Sequence, residues 1–382
     1  MLDIKGLKRE LTEAGVFERR EADSWTKMLC LVCILAALFA AHVYLNVWLS
    51  ALLLPVTALI ATTIAILGHE GGHRSLSNSR FRNSLMLHLA FPFFGGLGAL
   101  YWKHKHNVKH HAHPNIVDKD QDIQLWPMTS CKSDHLKSGP MQRWFQRNCQ
   151  GFMFWPLTTF LAFSMRASTA EYLYKYAKER GIDRKWSLDV FCLVMHVVAW
   201  IVLPMYFFGW MGLAFYVGIW FFIGGMLAAI FAPAHMSMPI LTDHSDKWRL
   251  QLETSRNLRM PGWLSFFFVG LDYQIEHHLF PRIPHQNLPV AAPIVRRWTA
   301  RNNAPYFVVN YGKGVKDVTR FMDNAWDLDT INEDEIEKWQ LKRSEWDASG
   351  KWTSDLKRRS LWQRFKSNFF INLPGPSALP NQ

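Results

Sequence analysis

Residues 28–67 read MLCLVCILAALFAAHVYLNVWLSALLLPVTALIATTIAIL, 40 residues without one Asp, Glu, Lys or Arg. A bilayer core takes roughly 20 helical residues per crossing. The run is too long for one crossing and right for two, with a turn at Asn46–Ser50. Val190–Ala234 repeats the pattern over 45 uncharged residues, with its turn at Phe208–Gly212. The sequence therefore predicts two membrane hairpins, with spans over residues 28–45, 49–67, 190–208 and 210–230. Pro55 and Pro204 fall inside these spans, where neighbouring helices satisfy the carbonyls they free.

Working outward, each hairpin returns the chain to the side it left. All 43 Lys and Arg of the 382 residues lie outside the two runs, and the formal net charge is +12. The N-terminus, residues 69–189 and everything after 234 thus share one side. The positive-inside rule makes that side cytoplasmic. The first 27 residues are charged and carry no cleavable signal. A hydrophobic content of 49% excludes a disordered chain, and five cysteines in this length exclude a disulfide scaffold. No phosphate loop, dinucleotide fingerprint or basic aromatic module is present. The charge is therefore assigned to membrane lipid headgroups and protein partners, not to nucleic acid.

The expected architecture is an all-α integral membrane fold: four transmembrane helices in two hairpins, with interfacial helices and a cytoplasmic helical cap. Residues 1–27 form a cytoplasmic amphipathic N-terminus, with a helix over Ile4–Ala14 and with Leu7, Leu11 and Phe17 spaced to touch a membrane surface. Residues 28–310 form the main domain. Within it, Asn83–Tyr101 is an uncharged island broken by Pro92, Gly95, Gly96 and Gly98, read as in-plane or re-entrant rather than as a fifth crossing. Gly151–Met165 reads as an interfacial helix, and Trp263–Leu271 is a third island. Residues 311–382 are a polar cytoplasmic extension. The acidic run Asp327–Glu337 and the basic run Lys357–Arg359 read as solvated faces, and the Pro-rich end Leu373–Gln382 as disordered.

The 16 histidines are clustered. His69 and His73 stand at i, i+4 in HEGGH, so a helix points both rings one way. His106 and His110 repeat that spacing, with His111 beside them. Gln274, His277 and His278 stand at i, i+3, i+4, and His235 follows the second apolar run. Imidazole binds iron, zinc and copper. Three sets and His235, all on one side, exceed the needs of one tetrahedral ion, and eight histidines suit two metals. HEGGH also matches HExxH, the zinc peptidase motif in which the Glu is general base. That alternative leaves the other two sets without a purpose and puts Gly71 and Gly72 in the ligand-bearing helix. A soluble-type di-iron carboxylate bundle needs two Glu-x-x-His motifs, and only Glu70–His73 has that spacing.

These residues resemble the histidine boxes of the membrane fatty acid desaturase superfamily: HxxxH, then HxxHH or HxxxHH, then H/QxxHH. Trp102, Lys103, Lys105, His106, Asn107, His110, His111, Pro114 and Asn115 are similar to its second box. Tyr273 to Pro281, with Pro284 and His285, is similar to the third box of the front-end and linoleoyl-type branch, which opens on glutamine. The likeness covers roughly residues 28–310. It implies two irons held by His69, His73, His106, His110, His111, His235, His277 and His278, with Gln274 in the remaining ligand slot. It makes His104 and His113 non-ligands and gives His285 a supporting place. The first box departs from the usual HDxxH, and its His-Glu form also occurs in membrane alkane hydroxylases, so a di-iron hydroxylase is the alternative.

The resemblance implies an oxidoreductase that inserts a cis double bond into a fatty acyl chain with O2 as co-substrate. The acyl group would be carried by CoA, acyl carrier protein or a lipid. No fused cytochrome b5 is present, which calls for a separate electron donor such as ferredoxin or cytochrome b5. It also favours a bacterial inner membrane over the endoplasmic reticulum.

Overall fold

In a computed structural model that describes residues 2–341, four helices are long and apolar enough to cross a membrane. Helix α1 (Ile4–Glu13) precedes the first hairpin, α2 (Glu21–Tyr44) and α3 (Val47–His73). The hairpin turns at Asn46, whose side chain accepts from the N–H groups of Trp48 and Leu49 and caps α3. At 27 residues α3 is about 40 Å long, longer than the hydrocarbon core. Its surplus turn carries HEGGH, so the first box is the end of a spanning helix and not a separate element beyond residue 67.

The first island folds as α4 (Arg80–His88) and a π-helix, Leu89–Gly95. The chain then bends by 111° into α5 (Ala99–Trp102) and a second π-helix, Lys103–His110. This segment leaves from the end of α3 and comes back to it, placing His106 Nε2 3.1 Å from His73 Nε2. It therefore doubles back at a break where its Pro and Gly residues fall. Asp189 fixes the bend: its carboxylate accepts from the N–H groups of Ala99 (2.8 Å) and Leu100 (2.9 Å), two free donors of a helix start.

Short helices α6 (Lys132–Lys137) and α7 (Pro140–Asn148) lead to α8 (Gln150–Thr158) and α9 (Leu161–Arg180). The second island is thus two helices and not one, with α8 ending two residues after Pro156. Both pack on the second hairpin. That hairpin is α10 (Arg184–Val197), a π-helical stretch, α11 (Leu203–Phe208) and α12 (Trp210–His235). The turn at Gly209 has φ +58°, a backbone conformation that suits glycine. Tyr44, Trp48, Tyr206 and Trp210 are exposed at the two tips, as aromatic residues are at a membrane–water interface. Like α3, α12 outruns the predicted span and ends on a histidine.

The cap follows: α13 (Lys247–Glu253), β1 (Asn257–Arg259), α14 (Gly262–Phe268), α15 (Gln274–Leu279), α16 (Leu288–Arg301), β2 (Val308–Asn310) and α17 (Tyr311–Asn324). The two short strands pair in parallel, Asn257 opposite Val308.

Two polar-looking ends differ from their sequence-based expectation. Leu7 and Leu11 of α1 are fully buried against Ile294, Val295 and Trp298 of α16. The amphipathic stripe is real, but its partner is protein and not lipid. At the other end α17 buries Val318, Phe321 and Met322 against Phe154 of α8, so apolar packing continues past residue 310. The Asp327–Glu337 run is capped and bonded, with Glu333 accepting from Ser245 and Ile336 buried. Lys357–Arg359 and Leu373–Gln382 lie outside the described residues.

Candidate metal centre

The predicted histidines converge from four elements. His69 and His73 come from the last turns of α3, and His106 and His110 from the second π-helix, with His111 just after it. His235 ends α12, and His277 and His278 sit on α15. They form two groups. His69, His73, His106, His111 and His277 place ligand nitrogens within 4.8 Å of one another, and His110, His235 and His278 do the same. In the first group the Nε2 atoms face each other: His69–His106 at 2.9 Å, and His73–His106, His106–His111 and His111–His277 at 3.1 Å each. Gln274 joins the second group through its Nε2, 2.8 Å from His235 Nε2. The groups adjoin, since the His111 and His278 rings stack at 4.3 Å.

The partition differs from what i, i+4 spacing suggests for the second box. In an α-helix His106 and His110 share a face. Here the helix is π, closed by i+5 bonds, and His111 N donates to His106 O at 2.9 Å. The wider turn brings His111 back over His106, while His110 points into the other group. On α15 the ordinary α-helical rule holds: Gln274 and His278 share one group, and His277 faces the other.

Outer nitrogens of the second group are tied down. His110 Nδ1 lies 3.1 Å from Asp120 Oδ2, His278 Nδ1 2.8 Å from Gln251 Oε1, and His235 Nδ1 3.2 Å from the Thr254 carbonyl. Each of these rings donates through Nδ1, which leaves Nε2 as a lone pair aimed inward. The fit to a metal follows from that count. Buried lone pairs face one another without enough protons between them, and His278 Nε2 has no hydrogen-bond partner. Burial, then repulsion among the rings, holds His106, His111, His277 and His278 well below the usual imidazole range. The neutral imidazole so favoured is the form that binds metal.

Glu70 lies between two of these histidines in sequence yet faces away from them. Its carboxylate accepts from Ser24 Oγ (2.7 Å) and from the His285 N–H (3.0 Å). A zinc peptidase needs this carboxylate at the metal as general base, and here it links α3 to α2 and to the turn after α15. The adjacent glycines have a packing reason. A Cβ on Gly71 would lie 2.4 Å from Asn83 O, and one on Gly72 2.1 Å from the Trp102 ring. That ring packs on His69, His73 and His106. His104 stacks on Tyr172, outside both groups.

Spacing rules did not single out Asp120, Gln251, Asp189 or the buried Glu276. Asp120 lies ten residues beyond His110, with no periodic relation to it. Burial pushes the Glu276 carboxyl up to about 7, although Tyr306 and Asn257 both donate to it. A charged residue inside the third box was the one available signal.

Comparison with known proteins adds independent information. A family model described as fatty acid desaturase matches residues 44–310. A Delta(5) fatty acid desaturase of Caenorhabditis elegans is 29% identical, over 64% of this chain and 57% of that protein. Delta(8)-fatty-acid desaturase 2 of Arabidopsis thaliana is 22% identical, over 86% of this chain and 74% of its own. A Delta(6)-fatty-acid desaturase of C. elegans is 27% identical, over 81% and 71%.

Proposed function

Because the chain belongs to the fatty acid desaturase family, we propose that it is an O2-dependent membrane acyl desaturase that inserts a cis double bond into a fatty acyl chain. The observation that carries this is the convergence of eight imidazoles, seven of them buried and that of His111 half-buried, into two adjoining groups at one end of an apolar stem. In this reading His69, His73, His106, His111 and His277 hold one iron. His110, His235 and His278 hold the other, with Gln274 beside them. Iron there would supply the oxidising power that an unactivated methylene C–H demands, with O2 as oxidant and water as product.

The protein's own part is to hold and exclude. Asp120, Gln251 and Thr254 fix the rings of the second group. Buried walls keep water from the site. A cavity of about 540 Å³ between the hairpins, lined by Phe39, Trp200, Phe215, Trp220 and Ile223, has the size and apolarity for an acyl chain. The cap and both termini face the cytoplasm by the positive-inside rule, and electrons come from a separate carrier such as ferredoxin or cytochrome b5.

The test is expression in a host with simple lipids, with mass spectrometry of its fatty acids and metal analysis of the purified protein. The expected outcome is a new alkene, lost in His277→Ala, and two irons per chain. One zinc per chain would sink the di-iron assignment. A hydroxylated product without alkene would replace desaturation by hydroxylation.

A further inference from the structure

Residues 328–340 follow α17 and lie beyond residues 44–310, which match the family model. They close a small ladder built from the chain just past two of the histidine sites. Val117 N donates to Leu241 O (3.0 Å) and Leu241 N to Asn115 O (2.9 Å), which joins the stretch after the second box to the stretch after His235. On the other edge of residues 240–242, Ile331 N donates to Ile240 O (3.0 Å) and Thr242 N to Ile331 O (3.2 Å). Both bridges run parallel. Ile336 is buried among Ile116, Leu241 and Leu250, so it touches both inner chains of the ladder and α13. Side chains complete the fit. Thr242 Oγ1 donates to Asn332 Oδ1 (2.7 Å), and the Glu333 carboxylate accepts from Ser245 N (3.0 Å) and Ser245 Oγ (2.7 Å). Gln340 Nε2 donates to Glu253 Oε1 (3.2 Å). The buried Glu253, at the end of α13, also accepts from Arg249 Nε (2.9 Å). His244 Nδ1 accepts from Asp246 N (3.0 Å), so the ring carries its proton on Nε2 and donates it to Glu253 at 2.9 Å.

The elements fastened in this way are the ones that hold the second histidine group. Gln251 of α13 lies 2.8 Å from His278 Nδ1 and donates to the His111 carbonyl (3.2 Å), and the carbonyl of Thr254, which caps α13, lies 3.2 Å from His235 Nδ1. Asn115 gives its N–H to Asp120 (2.9 Å), the partner of His110, and its Nδ2 to the carbonyls of His235 and Pro239 (3.2 Å each). His69 and His73 come from α3, outside this ladder. From this arrangement we propose that residues 328–340 are a positioning strap for the second histidine group. The strap holds α13 and the 115–117 and 240–242 stretches so that Gln251, Thr254 and Asp120 meet His278, His235 and His110, and it acts through those partners. The proposal rests on the di-iron desaturase reading for what the group holds.

The experiment compares the full-length wild type with Ile336→Asp, which puts a charge where the strap is buried. Metal retention is read by chelator competition followed by metal analysis, and hydrogen exchange is read on the metal-stripped proteins. We expect the variant to release one metal per chain at a chelator concentration on the order of tenfold below the wild type, as loss of outer partners does, while the other metal stays. Ile336→Val should behave as the wild type. Exchange should quicken at residues 115–120 and 247–254 and stay unchanged at the end of α3. Should Ile336→Asp misfold, Glu333→Ala/Gln340→Ala carries the same test with a smaller shift. Equal chelator resistance in variant and wild type overturns the proposal. Release of both metals together also overturns it, because a strap that only stabilised the fold would loosen both groups alike. If the wild type holds one zinc or no metal, the desaturase reading fails and exchange alone decides: quickening at 115–120 and 247–254 supports the strap, and quickening confined to 328–340 overturns it.

Discussion

Asp120→Asn tests how the second group of histidines is held. Asp120 is fully buried and accepts three hydrogen bonds: Oδ2 from His110 Nδ1 (3.1 Å) and Asn115 N (2.9 Å), and Oδ1 from Asp122 N (2.9 Å). An amide keeps one oxygen and presents an NH2 where the other stood. Whichever way it turns, at least one buried donor loses its acceptor, at a cost of about 1–3 kcal/mol. If the amide nitrogen faces His110, the ring is pushed out of register and the wrong tautomer is favoured. Loss of such an outer partner typically lowers metal affinity 10- to 100-fold, or about 1.4–2.8 kcal/mol. The loss should be local, because the five-histidine group does not touch Asp120 directly. Chelator competition followed by metal analysis should therefore release one iron per chain from the variant at a chelator concentration the wild type resists, while the other stays. Circular dichroism should be unchanged. Release of both irons together, or identical chelator resistance in the two proteins, would refute the argument.

Three further outcomes follow from the packing. Leu11→Ala should cost about 2–5 kcal/mol in thermal unfolding, because it opens a cavity against α16; a residue lying on lipid would show almost none of this. Asp317→Ala leaves the buried Arg256 guanidinium without the carboxylate 3.0 Å away and should destabilise by about 3–5 kcal/mol, showing in urea unfolding that α17 belongs to the folded body. Burial, then the nearby Arg147, holds the His135 ring below its ordinary pKa, with Gln146 opposing. The fold favours its neutral form, so its stabilisation is whole above the unfolded value of 6.5 and is lost as pH falls below it. His135→Gln should flatten that part of the melting-temperature profile, and an unchanged profile would assign the acid lability to other groups.

The sequence by itself determined the stem and pointed to the chemistry. Forty and 45 residues without charge admit two hairpins and little else, because hydrocarbon tolerates neither unpaired charge nor unpaired backbone. Histidines in three sets, each beside an apolar stretch, pointed to a candidate metal centre because few other purposes gather imidazoles at such spacing. What only tertiary structure decided is which histidine serves which group. Spacing predicts a shared face only once the helix type is known, and the π-helix that sends His106 with His111 and His110 elsewhere leaves no periodic signature. The outer partners Asp120, Gln251 and Thr254 were hidden because each meets its histidine through the fold and not through a repeat. The same holds for Leu7 and Leu11: an amphipathic stripe specifies that a face is buried, and only the position of α16 specifies against what. Glu70 is the sharpest case. Its motif placed it at a metal, and the contacts with Ser24 and His285, 46 and 215 residues away in sequence, turned it into a strut.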